Sequence, residues 1–209
     1  MSKTLKLVAV AAAATFTLAA CGSDNGTHHD AGSSAGTSSA SSSTSSVHND
    51  ADVMFAKQMI PHHAQAVSMA KMAASQASDP QVKALAADIE AAQGPEISTM
   101  SGWLKTWGEK VPSPDSPMDD MGGHDMGSMD NGDMTGMMTS DQMKQLGNAS
   151  GSAFDRMWLH MMVEHHKGAI DMARTEQQDG KNPDAVALAK QIESAQADEI
   201  STIESMLQS

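Results

Sequence analysis

An internal repeat is the feature that most constrains how this chain folds. A shift of 103 residues aligns residues 52–100 with residues 155–203 without a gap. The aligned copies share a histidine pair, at His62-His63 and His165-His166, and an identical Glu-Ile-Ser-Thr run further on. So many gapless identities indicate a duplicated structural unit, and we expect both copies to adopt the same fold.

Each copy has the pattern of a helical hairpin. Asp79-Pro80 and Asn182-Pro183 supply an N-cap residue followed by a proline at the first helical position, so a second helix should begin there in each copy. The predicted helices cover residues 50–77, 80–107, 152–179 and 183–208, in hairpins 50–108 and 152–208. Two such hairpins predict an all-α, antiparallel four-helix bundle formed by residues 49–209.

The first 48 residues have the composition of an export signal followed by a tether. Two lysines precede an apolar stretch over residues 7–20 that is too short to span a bilayer, so residues 1–20 are predicted to be a secretory signal peptide. Leu18-Ala19-Ala20-Cys21 resembles a bacterial lipobox. That resemblance implies cleavage before Cys21, lipid attachment to its sulfur, and anchoring to the outer face of the cell membrane. Residues 21–48 should form a disordered, serine-rich tether.

The composition excludes several classes of protein. The single cysteine excludes an internal disulfide framework and a cysteine-rich zinc site. The net charge of −13 argues against a general nucleic-acid binder, which needs a basic face. The 19 methionines among 209 residues are unusual and call for an explanation.

Both copies place histidine on the face of the first helix that is expected to point into the bundle. At about 100° per residue, His62 falls in the middle of an apolar stripe and His63 at its rim, and His165 and His166 repeat this arrangement. A buried polar side chain is costly unless it is paired, so these histidines should have partners.

The partners can be protein groups or a metal. Glu96 and Glu199 lie on the inner faces of the second helices, so histidine–glutamate hydrogen bonds across the bundle are one solution. The other solution is a soft metal ion, because imidazole binds transition metals and thioether favours Cu(I). Methionine as a core gap-filler is the competing structural interpretation. With the two glutamates as further candidates, the proposed metal ligands are Met59, His62, His63, Met69, Met162, His165, His166 and Met172.

The connection between the hairpins, residues 112–139, is rich in methionine and has no apolar periodicity. It is therefore expected to be disordered. Packing does not explain seven methionines in a segment without a core, whereas a flexible loop can wrap thioethers around a soft ion. Drifted low-complexity sequence or a sacrificial oxidant sink is the alternative. The candidate ligands in this loop are Met118, Met121, His124, Met126, Met129, Met134, Met137 and Met138.

The residues around the histidine pairs resemble two signatures of the domain of unknown function 305 (DUF305) family. The first is Met59-Ile60-Pro61-His62-His63 with Met69-Ala70, and the second runs from Phe154-Asp155-Arg156 through His165-His166 to Met172-Ala173. The resemblance covers about residues 49–208. It implies a ferritin-like four-helix bundle and, because some members bind copper outside the cytoplasm, it implies copper binding by the methionines and histidines given above.

The sequence thus predicts a lipid-anchored, extracytoplasmic protein that sequesters, buffers or hands over copper, with Cu(I) favoured. A copper-donor or acceptor protein is a further expected partner, and no organic cofactor is expected. A ferritin-like metal oxidase is an open alternative, although neither copy has the Glu-x-x-His spacing of those enzymes. A structural or partner-binding module without metal is the other alternative.

Overall fold

The computed structural model describes residues 47–113 and 135–208. These residues form five α-helices and, within those two ranges, no strand. The helices are α1 (Asp50–Gln76), α2 (Pro80–Thr106), α3 (Ser140–Asn148), α4 (Gly151–Asp179) and α5 (Pro183–Leu207). The all-α class is confirmed, and each of the four long helices begins and ends within one residue of its predicted bounds.

Three of the four long helices begin where local side chains satisfy free amide groups of the first turn, whereas Ser150 at the start of α4 makes no side-chain capping bond. Asn49 and Asp52 form a reciprocal capping box at the start of α1. Asp79 and Asn182 accept backbone hydrogen bonds at the starts of α2 and α5, each followed by proline. The predicted start signals are therefore the ones that the fold uses.

The short helix α3 was not predicted from the sequence. Thr139 and Gln142 form a capping box at its start, and Leu146 is fully buried. Nine residues contain too few apolar positions for a clear helical period, so tertiary contacts at Leu146 stabilise this helix. The expectation of disorder across 112–139 is also wrong at its end, because Met138 is buried in the core. Residues 114–134 lie outside the described residues.

The two hairpins join through their first helices. Helix α1 packs against α2 and α4, and α4 packs against α5 and α3. Two apolar clusters fill the bundle. In the first, Met69 and Ala73 of α1 meet Phe154 and Trp158 of α4, while in the second, residues 55–60 of α1 meet residues 169–173 of α4. The two first helices therefore cross antiparallel, related by an approximate twofold axis. None of the described helices is long and apolar enough to cross a bilayer.

Two buried aspartates hold the hairpins together in a reciprocal way. Asp52 of α1 accepts hydrogen bonds from the backbone amides of Lys181 and Asn182 in the α4–α5 turn, at 3.0 and 2.8 Å. Its repeat partner Asp155 accepts from the backbone of Ser78 and Asp79 in the α1–α2 turn, at 3.0 and 3.1 Å. Each copy thus fastens the turn of the other, and charged acceptors make these bonds strong.

Replacing Asp155 with alanine should lower the free energy of unfolding by about 1–3 kcal/mol, because the backbone amides of Ser78 and Asp79 in the α1–α2 turn lose their acceptor. Chemical denaturation followed by circular dichroism measures this change. Asp88→Ala, on the exposed face of α2, is the matched control and should change stability by less than about 0.5 kcal/mol. Equal effects of the two substitutions would contradict the role of Asp155.

Candidate metal centre

Four fully buried histidines form a layer at the centre of the bundle. His62, His63, His165 and His166 each have 0% of their surface exposed. On α1 and on α4 the histidine pair lies between residues of the first apolar cluster and residues of the second. The position of His63 and His166 at the rims of the α1 and α4 stripes does not expose them, because the neighbouring helix of each hairpin covers them as well.

The two copies contribute to one cluster rather than to two separate ones. The ring centroids of His62 and His165 are only 3.7 Å apart across the α1–α4 crossing, and the rings are tilted by 39°. The rings of His165 and His166 are 6.4 Å apart. The antiparallel crossing of duplicated helices brings equivalent histidines face to face near the twofold axis.

The outer histidine of each copy is held by a glutamate of the same hairpin. His63 Nε2 lies 2.7 Å from Glu96 Oε2, and His166 Nε2 lies 2.6 Å from Glu199 Oε2. If each imidazole donates from Nε2, the neutral ring keeps a free lone pair on Nδ1. A carboxylate bound to the far nitrogen of an imidazole is also the usual second-shell arrangement for a metal-ligating histidine.

Six imidazole nitrogens in the layer have no hydrogen-bond partner. They are both ring nitrogens of His62, both of His165, and Nδ1 of His63 and His166. Burial, together with the neighbouring imidazoles of His63 and His166, lowers the pKa of His62 from 6.5 to about 3. Burial and the neighbouring rings also hold the pKa of His165 well below 6.5. These central rings are therefore neutral at pH 7, with lone pairs directed into the interior.

Residues 135–138, which we call the strap, lie over this layer. The side-chain amide of Gln65 on α1 donates to the carbonyl of Met138 and accepts from its amide, at 2.9 and 2.7 Å. A Cβ added to Gly168 of α4 would lie 1.8 Å from the Thr135 carbonyl oxygen, so only glycine permits this approach. The backbone of Thr135 raises the pKa of His62, but this effect is smaller than that of burial. The two residues are not within hydrogen-bonding geometry.

The predicted methionine ligands lie on both sides of the histidine layer. Met69 and Met162 belong to the first apolar cluster, and Met59 belongs to the second, against which the partly buried Met172 packs. Each cluster therefore combines methionines from different copies. In the predicted loop, Met137 is partly buried and Met138 is buried, while the other loop candidates and Cys21 lie outside the described residues.

The side chains around the histidine layer suit a metal ion with a low coordination number. Within residues 47–113 and 135–208, no three His, Cys, Asp or Glu side chains come together as ligands of one ion. A carboxylate-rich di-metal centre needs such a group. Paired neutral imidazoles between thioether-bearing clusters instead suit a soft monovalent ion with a low coordination number.

Glu176 is a buried ionisable residue that the sequence reasoning missed. It is 1% exposed, and neither carboxyl oxygen has a hydrogen-bond donor. Burial raises the pKa of Glu176 to about 9, and the adjacent Asp52 carboxyl raises it as well. The first copy has Ala73 at the equivalent position, so the mismatch in the repeat alignment was the available signal.

The chain belongs to the DUF305 family, whose description is "domain of unknown function". The family model matches residues 52–207, which is most of the chain. A search of functionally curated proteins gives no match.

Solved structures of the same family have a similar fold. A DUF305 protein of Streptomyces coelicolor, described as secreted, is 34% identical, with 75% of this chain and 91% of that chain covered and a TM-score of 0.64. A DUF305 fragment from Deinococcus radiodurans is 28% identical, with 76% and 96% covered and a TM-score of 0.63. CopM in its Cu(II)-bound form is 30% identical, with 75% and 95% covered and a TM-score of 0.61. CopM is also known in Cu(I)-bound and Ag-bound forms.

Glu176→Gln should make the protein more stable than the wild type at pH 8.5 but not at pH 4. Because the pKa of Glu176 is about 9 in the folded state and 4.5 when unperturbed, its contribution to stability is complete below pH 4.5 and is lost as the pH rises toward 9. Glutamine keeps a donor for Asp52 and does not ionise, so we expect a gain of roughly 1–3 kcal/mol at pH 8.5.

Denaturant midpoints measured from pH 4 to pH 9 test this prediction. Glu204→Gln on the exposed face of α5 is the control, and Glu176→Ala introduces the residue found in the first copy. A difference between wild type and Glu176→Gln that does not change with pH would show that folding does not shift the pKa of Glu176.

Proposed function

We propose that this protein binds copper outside the cytoplasm, as Cu(I), in the buried histidine layer, and that it sequesters, buffers or hands over the ion. The observation that carries the proposal is the pair of face-to-face imidazoles, His62 and His165, whose nitrogens lack any hydrogen-bond partner. Buried nitrogens without partners are costly, and a bound ion would supply the missing interaction.

The ligand chemistry favours the monovalent ion. Neutral nitrogen and thioether sulfur donors suit soft Cu(I), whereas no carboxylate cluster is available in the described residues for a harder ion. The similarity to CopM, which is known with Cu(II), Cu(I) and silver, supports a metal-binding role for this chain. Glu96 and Glu199 would then orient the outer histidines as second-shell groups.

The N-terminal sequence supports a location outside the cytoplasm. The lipobox-like stretch ending at Cys21 is the basis for lipid anchoring, and the similar Streptomyces coelicolor protein is described as secreted. The methionine-rich residues 114–134 directly precede the strap in the sequence, and we propose that their thioethers collect Cu(I) for the buried site. Asp119, Asp120 and Asp125 would raise the local cation concentration.

Replacing both central histidines, as His62→Asn with His165→Asn, should abolish tight binding of one Cu(I) per chain, because it removes the paired donors. Competition with a chromophoric Cu(I) chelator under anaerobic conditions measures the affinity. Glu96→Gln with Glu199→Gln should weaken binding by only about 10–100-fold, as expected for second-shell groups.

His48→Asn is the control for this experiment, because His48 lies outside the histidine layer and stacks on Trp107. Circular dichroism establishes that each variant keeps its helices. If the folded double variant retains the wild-type affinity for every bound Cu(I), the buried site is not the copper site. Oxygen consumption on addition of Fe(II) or Cu(I) would indicate the metal oxidase alternative instead.

Cys21→Ser should release the protein from the membrane, because serine has no sulfur to carry the lipid. Fractionation of cells that express the full chain measures this, with the protein expected in the soluble exported fraction. Ser23→Ala, two residues further along, is the control and should leave the protein in the membrane fraction. Membrane retention of the Cys21→Ser variant would contradict lipid anchoring.

A further inference from the structure

A shallow surface groove lies on α4, and none of the four layer histidines lines it. Its lining includes Met157, His160 and Met161, together with Arg156 and two small residues. These three donors follow the spacing i, i+3 and i+4, which places them on one face of the helix. His160 is exposed, whereas Met157 and Met161 are partly buried and pack against the first apolar cluster.

Packing against the core restricts the side chains of Met157 and Met161 but buries them only in part. The two methionine stems lie on the core, which limits their conformational freedom, while the groove itself is open. The imidazole of His160 projects from the turn between them. Two sulfur atoms and one imidazole therefore lie on the same face of the helix. Of these three side chains only His160 is exposed, so binding an ion would order one freely moving side chain at a low entropic cost.

The repeat shows that the fold does not require these donors. The equivalent positions in the first copy are Met54, Lys57 and Gln58, on a helix of the same structure. Lys57 forms an ion pair with Glu109 there. Because both copies build the same bundle, packing alone does not account for an imidazole and a second thioether on this face of the second copy only.

We propose that Met157, His160 and Met161 form a second site for a soft monovalent cation, Cu(I) or Ag(I). No carboxylate lines the groove, and two of its three donors are uncharged thioethers. The positive charge of Arg156 disfavours a hard divalent ion more than a monovalent one. Thioether and imidazole ligands match the softness of Cu(I). The site does not depend on the proposed function of the buried layer, since it shares no residue with it.

Substitution by the residues of the first copy tests the proposal. Full-length protein carrying His160→Lys and Met161→Gln should bind one Ag(I) fewer than wild type in a competition titration. Carbon-13-labelled methionine methyl groups give a local readout. The Met157 and Met161 signals should shift during Ag(I) addition in wild type, and the Met157 signal should not shift in the variant.

The reciprocal exchange, Lys57→His with Gln58→Met, should create the same site on α1 and add one Ag(I). It removes only a surface ion pair, so its effect on stability should be small. The His62→Asn, His165→Asn variant separates the two sites, because it should lose the buried ion and keep the methyl shifts of Met157 and Met161. Unchanged stoichiometry in the His160→Lys, Met161→Gln variant, with no methyl shifts in wild type, would overturn the proposal.

Discussion

The burial of four imidazoles where α1 crosses α4 is the constraint on which the rest of the structure depends. Six of their nitrogens lack partners, and each such group opposes folding in the absence of a ligand. The surrounding structure compensates for this cost. Apolar clusters flank the layer on both sides, and the Asp52 and Asp155 hydrogen bonds fasten each hairpin to the other, so the crossing keeps its geometry without direct bonds between the central rings.

Local signals in the sequence were sufficient to predict the long helices. Asp79 and Asn182, each followed by proline, carry side chains that cap a helix, and the duplication places this signal at equivalent positions of both copies. The predicted stripes also placed His62 and His165 correctly in the interior. These properties depend on residues a few positions apart, which is why one sequence reveals them.

The remaining features depend on contacts between distant parts of the chain. A helical stripe treats a helix as isolated, so it assigned His63 to a rim that α2 in fact covers. Helix α3 is held by the burial of Leu146 and not by a long apolar period. The raised pKa of Glu176 arises because folding buries this carboxyl and places it beside Asp52, more than a hundred residues away. None of these effects is visible in a local window.

Comparison of the two copies distinguishes residues that the symmetric bundle requires from residues that serve one copy only. Positions that agree, such as the histidine pairs and the glutamates that bind them, maintain the symmetric centre. The equivalent positions Gln65 and Gly168 differ, and both contact the strap, one through side-chain hydrogen bonds and the other through the absence of a side chain.

The strap covers the symmetric histidine layer from one side only. The layer has equivalent imidazoles from both copies, but a single strap lies over it, and that strap continues from the methionine-rich segment. Its contacts include two hydrogen bonds to Gln65, the close approach of Thr135 and Gly136 to Gly168, and the burial of Met138. Local opening generally costs least where buried contacts are few. The two copies therefore contribute equally to the histidine layer, whereas the differing residues Gln65 and Gly168 hold a strap on one side of it only, where local opening should cost least.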